Sequence, residues 1–194
     1  MTALSQDQLS FFQENGYLVL ENLFSPEEVS ALQAEADVLL ELIINSSLMH
    51  QRKSGRLDWR LASQDVQMAH KIQPINDMSL PFTQAIGNDR IVAPLRQIMG
   101  ENPVLMEEKL NYKQPLTEKV EGLPVRQIDD AFPVHNDWAY YAAQDYPQSV
   151  LSSALLLDDC TPDNGPLRIW PGSHKQHLEH ARMENGLEVL LHLI

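Results

Sequence analysis

The sequence predicts an α+β domain, with N-terminal helices flanking an antiparallel β-sandwich or jelly-roll core. Three observations predict it. Helix caps and helical spacing are confined to the part before Gly100. From Pro103 onward the apolar period shortens to that of a strand. The later strand patterns are joined by turn residues, with no crossover helix between them.

The elements follow in order. Ser5 to Asn15 reads as a short helix, with Ser5 as its cap and Gln8 at the capping-box position. Asn15-Gly16 ends it. Tyr17-Leu18-Val19-Leu20 reads as a short buried strand. Ser25 caps a second helix, Pro26 takes its first position, and Glu27 and Glu28 face the positive end of the dipole. Val29, Leu32, Ala36, Leu39, Leu40 and Ile43 keep helical spacing. Asn45 to Asp77 is polar and mixed, and no element is assigned there. Leu80 to Gly87 and Asp89 to Met99 read as two more helices, the second ended by Gly100.

The strands follow. Glu107 to Lys113 alternates polar and apolar residues, which puts Lys109, Asn111 and Lys113 on one face. Leu116 to Ala131 is a polar loop. Trp138 to Tyr141 leaves the strand that precedes it. Gln148 to Leu157 reads as a strand, and Asp158 to Gly165 as a turn. Pro166 to Trp170 reads as a short strand closed by Pro171-Gly172. The tail from His174 to Ile194 reads as loop and helix.

Composition excludes several classes of function. With 194 residues, the chain is long enough for one domain with a substantial core. A net charge of −13 argues against nucleic acid and against anionic membrane surfaces as partners. Cys160 is the only cysteine, so an intrachain disulfide and cysteine-based zinc or iron–sulfur sites are excluded. No signal peptide is legible, no apolar run is long enough to span a bilayer, and a cytoplasmic location is expected.

The sequence is organised around Phe132 to Asp137, F-P-V-H-N-D. On a strand, His135 and Asp137 point the same way. An imidazole and a carboxylate projecting together are two thirds of a 2-His-1-carboxylate facial triad, the cradle of non-haem Fe(II) in oxygenases. The bland alternative is a half-buried His hydrogen-bonded to a loop Asp.

Two further stretches stand with this one: L-N-Y-K-Q-P (Leu110 to Pro115) and D-N-G-P-L-R-I-W-P-G-S-H (Asp163 to His174). Together with N-G-Y-L-V-L-E-N-L-F-S-P-E-E-V near the start, the set resembles the phytanoyl-CoA dioxygenase family, which includes ectoine hydroxylases. The resemblance runs from about Leu9 to the end. It implies a double-stranded β-helix (a cupin-like jelly roll) and an oxygenase that uses Fe(II), 2-oxoglutarate and O2 on a small-molecule substrate. It implies one oxygenase-like domain over residues 1–194, mainly helical to residue 100 and the first part of the jelly roll from 101.

Roles carry over to matching positions only. His135 and Asp137 match two iron ligands and are the catalytic pair. Lys113 matches a residue that pairs with a 2-oxoglutarate carboxylate, Asn111 a neighbouring cosubstrate contact, and Ser152 a position lining the cosubstrate pocket. A dianion in a half-buried site needs a cation or several donors. At Ala154 some members carry a bulky aromatic contact that is absent here. His174 is read as structural or substrate-facing.

The family's second iron-binding His and its 2-oxoglutarate-anchoring Arg lie on later strands. The chain stops at Ile194, and His192 lies in a segment resembling one that precedes those strands. A C-terminally truncated member is therefore expected, with an incomplete β-helix, unpaired edges and two protein ligands.

Three other readings compete. On a helix, His174, His177 and His180 share a face and offer a zinc set. Arg52, Lys53, Arg56 and Arg60 are either a solvated cluster or a contact for an anionic group. The whole chain is alternatively an inactive fragment or pseudoenzyme, a jelly-roll binding module whose discriminator is a third ligand.

Overall fold

A computed structural model describes residues 3–50, 54–61, 67–115, 126–127, 134–144, 146–147, 149–176, 178–182 and 188–190. The first helix, α1, spans Gln6–Asn15. It carries the expected capping box: Gln8 N–H donates to Ser5 Oγ (3.2 Å) and Ser5 N–H to Gln8 Oε1 (2.9 Å). Gly16 closes it in the left-handed region at φ 78°. The second helix, α2, runs over Pro26–His50, a turn or more beyond the expected apolar stripe. Its capping box joins Ser25 and Glu28, and Arg90 grips the same carboxylate from the side with bonds of 2.8 and 2.6 Å. The Arg90 guanidinium and the Ser25 N–H hold the Glu28 carboxyl down to about 2.

Two strands, β1 (Leu57–Leu61) and β2 (Gln67–Ile72), form an antiparallel hairpin inside the stretch that sequence left unassigned. The reason is visible in β2, where inward positions are held by Gln67 and Ala69. A polar and a small residue on the buried face weaken the period-two signal. Helices α3 (Leu80–Ile86) and α4 (Asp89–Met99) follow where expected, the latter ended by Gly100 at φ 74°. Strand β3 (Leu110–Pro115) pairs antiparallel with β2, and the two-residue β4 (Arg126–Gln127) pairs parallel with β1. The sheet order is β3-β2-β1-β4.

One face of this sheet packs on the helices. Leu32, Ala36, Leu39, Leu40 and Ile43 of α2 meet Leu57, Ala69, Ile72, Leu110 and Tyr112 of the sheet, with Phe82 and Ala85 of α3. Tyr112 donates to the Ala36 carbonyl at 2.7 Å, tying β3 to α2. Alternation in β3 is as expected: Leu110 and Tyr112 are buried and Asn111 is exposed.

Beyond β4 the architecture departs from several expectations. Helix α5 (Trp138–Tyr141) is one short turn, followed by a 3-10 turn over Ala142–Gln144. Residues 149–157 are extended without a ladder among the described residues, although period two survives in their packing. Leu155 and Leu157 lean on the core, while Leu156 is exposed. Residues 166–170 likewise form no ladder, and Leu167, Ile169 and Trp170 are exposed. The expected strand at Tyr17–Leu20 is also absent. Tyr17 packs edge-on against Phe11 instead, and Val19 is 65% exposed. The tail is not helical. Ser173–Lys175 is a 3-10 turn, and β5 (His180–Arg182) pairs antiparallel with β6 (Glu188–Leu190). The described chain is thus α+β with two small sheets. None of its described helices is long and apolar enough to cross a membrane.

Candidate metal centre

The site grows from residues 134–136, which are extended but carry no strand ladder of their own. Two groups of the tail hold this segment from one edge. Leu190 N–H donates to the Val134 carbonyl (2.9 Å), and Asn136 N–H donates to His180 Nε2 (3.1 Å). The backbone then turns. Asp137 sits in the right-handed region (φ −63°, ψ −25°) as the residue before α5, and its side chain makes no capping bond. The carboxylate is therefore left to face back toward His135.

His135 and Asp137 do converge, with Nε2 3.7 Å from Oδ1. The route differs from strand alternation: the turn at Asp137 brings its side chain round. His135 is mostly buried at 17% exposure, and Asp137 is open at 52%. Tyr140 meets the imidazole edge-to-face, with ring centroids 5.4 Å apart. Ser152 donates to the second oxygen, Asp137 Oδ2, at 2.8 Å. The neighbouring imidazole holds the Asp137 carboxyl below the usual carboxylate range, against the opposing pull of burial. The Ser152 hydroxyl and the charge of Lys109 add to the effect of His135.

A polar rim completes the picture. Glu107 Oε1 accepts from Tyr141 Oη (2.9 Å) and from Lys109 Nζ (3.3 Å), and Gln73 donates to Oε2 (3.0 Å). Burial and then the Glu107 carboxylate push the Tyr141 hydroxyl up to about 12. None of Glu107, Lys109 and Tyr141 was singled out for the site from sequence. The alternation that grouped Lys109 with Asn111 and Lys113 was the available signal, and Lys109 is the member whose charge reaches Asp137.

Of the other expected site residues, Asn111 stands on the exposed face of β3, opposite Lys71 of β2. Lys113 lies in the same strand, but its side chain lies outside the described residues, as does the expectation that it sits beside His135. Ser152 reaches the site through Asp137. Ala154 is exposed.

The rival zinc set fails on its premise, because no helix carries it. His174 is in a 3-10 turn and its Nε2 lies 3.1 Å from the Gln13 carbonyl, whereas His180 is in β5. His177 and His192 lie outside the described residues. In the basic cluster, Arg56 pairs with Asp77, the second bond at 2.6 Å, and also bonds the Pro74 carbonyl. It is a structural cation there. Arg52, Lys53 and the Arg60 side chain lie outside the described residues.

The donor set fits a first-row divalent ion. Two ligand bonds of about 2.1 Å reach atoms up to about 4.2 Å apart, and the His135–Asp137 separation of 3.7 Å lies within that span. Nitrogen and carboxylate oxygen are the donor types of the facial triad. Among the described residues, no group of three or more His, Cys, Asp or Glu is placed to hold a metal.

A histidine and an aspartate converging from one short segment are the arrangement of non-haem iron proteins. The family model described as Phytanoyl-CoA dioxygenase (PhyH) matches residues 12–188, and the chain belongs to that family. An ectoine dioxygenase of Bordetella bronchiseptica is 29% identical over 178 residues, 91% of this chain and 51% of the relative. An ectoine dioxygenase of Nocardia farcinica is 29% identical over 175 residues, 87% of this chain and 51% of the relative. A probable alpha-ketoglutarate-dependent hypophosphite dioxygenase of Stutzerimonas stutzeri is 25% identical over 186 residues, 93% of this chain and 57% of the relative. The chain spans about half the length of the curated relatives it matches.

Proposed function

We propose that the complete protein is an Fe(II)- and 2-oxoglutarate-dependent dioxygenase that hydroxylates an unactivated C–H bond of a small molecule. In this reading residues 1–194 are a single oxygenase-like domain, residues 101–194 begin a jelly roll, and the enzyme is cytoplasmic. The observation that carries it is the convergence of His135 Nε2 and Asp137 Oδ1, 3.7 Å apart, in a chain of this family. The relatives named as dioxygenases support the reaction type.

Fe(II), when bound, supplies the coupling of 2-oxoglutarate decarboxylation to oxygen insertion. The chain supplies the holding and the orientation. His135 gives a neutral nitrogen, and Asp137 an anionic oxygen that is already ionised because its carboxyl is held low. Ser152 occupies Oδ2, so Oδ1 is the oxygen turned toward His135 and the ion. Tyr140 covers one side of the imidazole and limits water there. Asn111 and Lys113 are assigned to the cosubstrate carboxylate. A third protein ligand and a carboxylate-anchoring arginine are assigned to the length of the relatives that this chain does not span.

With two protein ligands, this chain is expected to bind Fe(II) weakly. The deciding experiment is substrate-uncoupled turnover of 2-oxoglutarate by the whole protein, read as succinate. Asp137→Ala is expected to abolish it. Lys113→Ala is expected chiefly to raise the KM for 2-oxoglutarate. Undiminished turnover in Asp137→Ala would overturn the assignment. No turnover by the intact protein with iron present would instead favour the jelly-roll binding module.

A further inference from the structure

We infer that His180 is a positioning residue for the iron site, a neutral imidazole that fixes the peptide between the two ligand residues. The inference rests on the iron-site reading above. A backbone amide only donates, so His180 Nε2 accepts from Asn136 N–H at 3.1 Å. A carbonyl only accepts, so the proton is on Nδ1 and goes to the Leu178 carbonyl at 2.8 Å. Both ring nitrogens are thus committed. This fixes the tautomer and the ring angle, and it leaves no lone pair for a metal.

The location gives the bond its purpose. Asn136 stands between His135 and Asp137, so the tilt of its peptide sets the direction of both side chains. In a regular sheet a ladder carbonyl would take that N–H. Here the segment has a ladder-like bond only at Val134, from Leu190 N–H. His180 and Leu190 face each other across β5 and β6. One rung of the hairpin therefore holds both the residue before His135 and the residue after it. The His180 imidazole stands where a neighbouring strand would otherwise offer a carbonyl. Groups that orient ligands from outside the coordination sphere tune metal affinity in this way.

The test has two arms, both on the 194-residue chain. In nitrogen-15 NMR, His180 is expected as the Nδ1–H tautomer, with a coupling across the hydrogen bond between the Asn136 amide nitrogen and Nε2. An Nε2–H tautomer overturns the inference. The second arm is a Mn(II) titration followed by paramagnetic broadening of the Tyr140 amide. His180→Phe keeps the ring shape but offers no acceptor, and it is expected to weaken Mn(II) about tenfold. His180→Gln offers its amide oxygen to the same N–H and is expected to recover most of the loss. Equal affinity in the native chain and His180→Phe overturns the inference, as does failure of His180→Gln to improve on His180→Phe. Broadening that survives His135→Ala overturns the iron-site reading instead, and the tautomer arm still decides the hydrogen bond.

Discussion

Around α2 the chain closes every polar group just described on a partner from a distant element, whereas around His135 it turns polar groups toward one another at an open rim. Glu28 is gripped by Ser25 and Arg90, and the buried Ser79 bridges Glu35 and the α3 amide of Phe82. Asp137, by contrast, is half exposed and has a free oxygen facing a second ligand atom. The helix-on-sheet half carries the apolar burial that stabilises the domain. The site half carries donors arranged for an ion, with little apolar burial beneath it. Substitutions should therefore separate the two.

The largest separation is expected at Asp137→Ala. It removes the anionic ligand, so Mn(II) broadening of the Tyr140 amide should vanish altogether. Stability should change by less than about 1 kcal/mol, because the bond lost is one exposed hydroxyl contact. A large fall in the urea midpoint would show that the site half also holds the fold.

Leu57→Ala should do the reverse. Leu57 is 1% exposed at the centre of the core. Its truncation is expected to lower unfolding free energy by about 2–5 kcal/mol, measured by urea denaturation. Under native conditions the Mn(II) affinity of the folded fraction should be unchanged. A matching loss of affinity would join the two regions.

The same division explains what the sequence made legible. Helices α1, α3 and α4 were legible to within a residue because their caps, such as Ser5 with Gln8 and Gly100, act within one turn. The β1–β2 hairpin was hidden by Gln67 and Ala69 on its buried face. The β5–β6 hairpin was hidden because its partner, Val134, lies about fifty residues away and leaves no local trace. His135 and Asp137 were found as a pair, although a turn and not an alternating strand makes them meet. Ser152 was assigned to the cosubstrate and is found on Asp137, since a hydroxyl in a run of small residues does not name its acceptor.

Gly16 tests the seam between the regions, with a smaller effect. The P-G-S-H turn docks on the end of α1: Gly172 N–H donates to the Asn15 carbonyl at 2.8 Å, and the His174 ring lies over Gly16. A Cβ at Gly16 would fall 2.2 Å from His174 Nδ1, at a φ of +78°. Gly16→Ala is expected to cost about 1–2 kcal/mol from the left-handed backbone alone, and more from displacing the ring. In the His174→Ala background only the backbone part should remain. The coupling from such a double-mutant cycle measures the dock directly. Additive losses would mean that the ring moves aside freely.

The smallest effect is expected from charge at the α2 cap, where pH separates it from packing. The Glu28 carboxyl is held from its ordinary 4.5 down to about 2, first by Arg90 and then by the Ser25 N–H. A carboxylate depressed in the folded state binds fewer protons there than in the unfolded chain. Its contribution to stability is therefore fully present above pH 4.5 and is lost as pH falls from there toward 2. Glu28→Gln can keep the capping box, since glutamine also serves at that position. It loses the ion pair with Arg90 and the titration. Urea midpoints between about pH 5 and about pH 2 should therefore fall less steeply in Glu28→Gln than in the native chain. Asp77, also held low by Arg56, keeps part of the acid slope in both. Added salt should shrink the difference between the two chains, because the Arg90–Glu28 pair is partly exposed and open to screening. Parallel acid slopes in the two chains would show that the Arg90 grip is worth no more at this cap than the neutral hydrogen bonds glutamine can make.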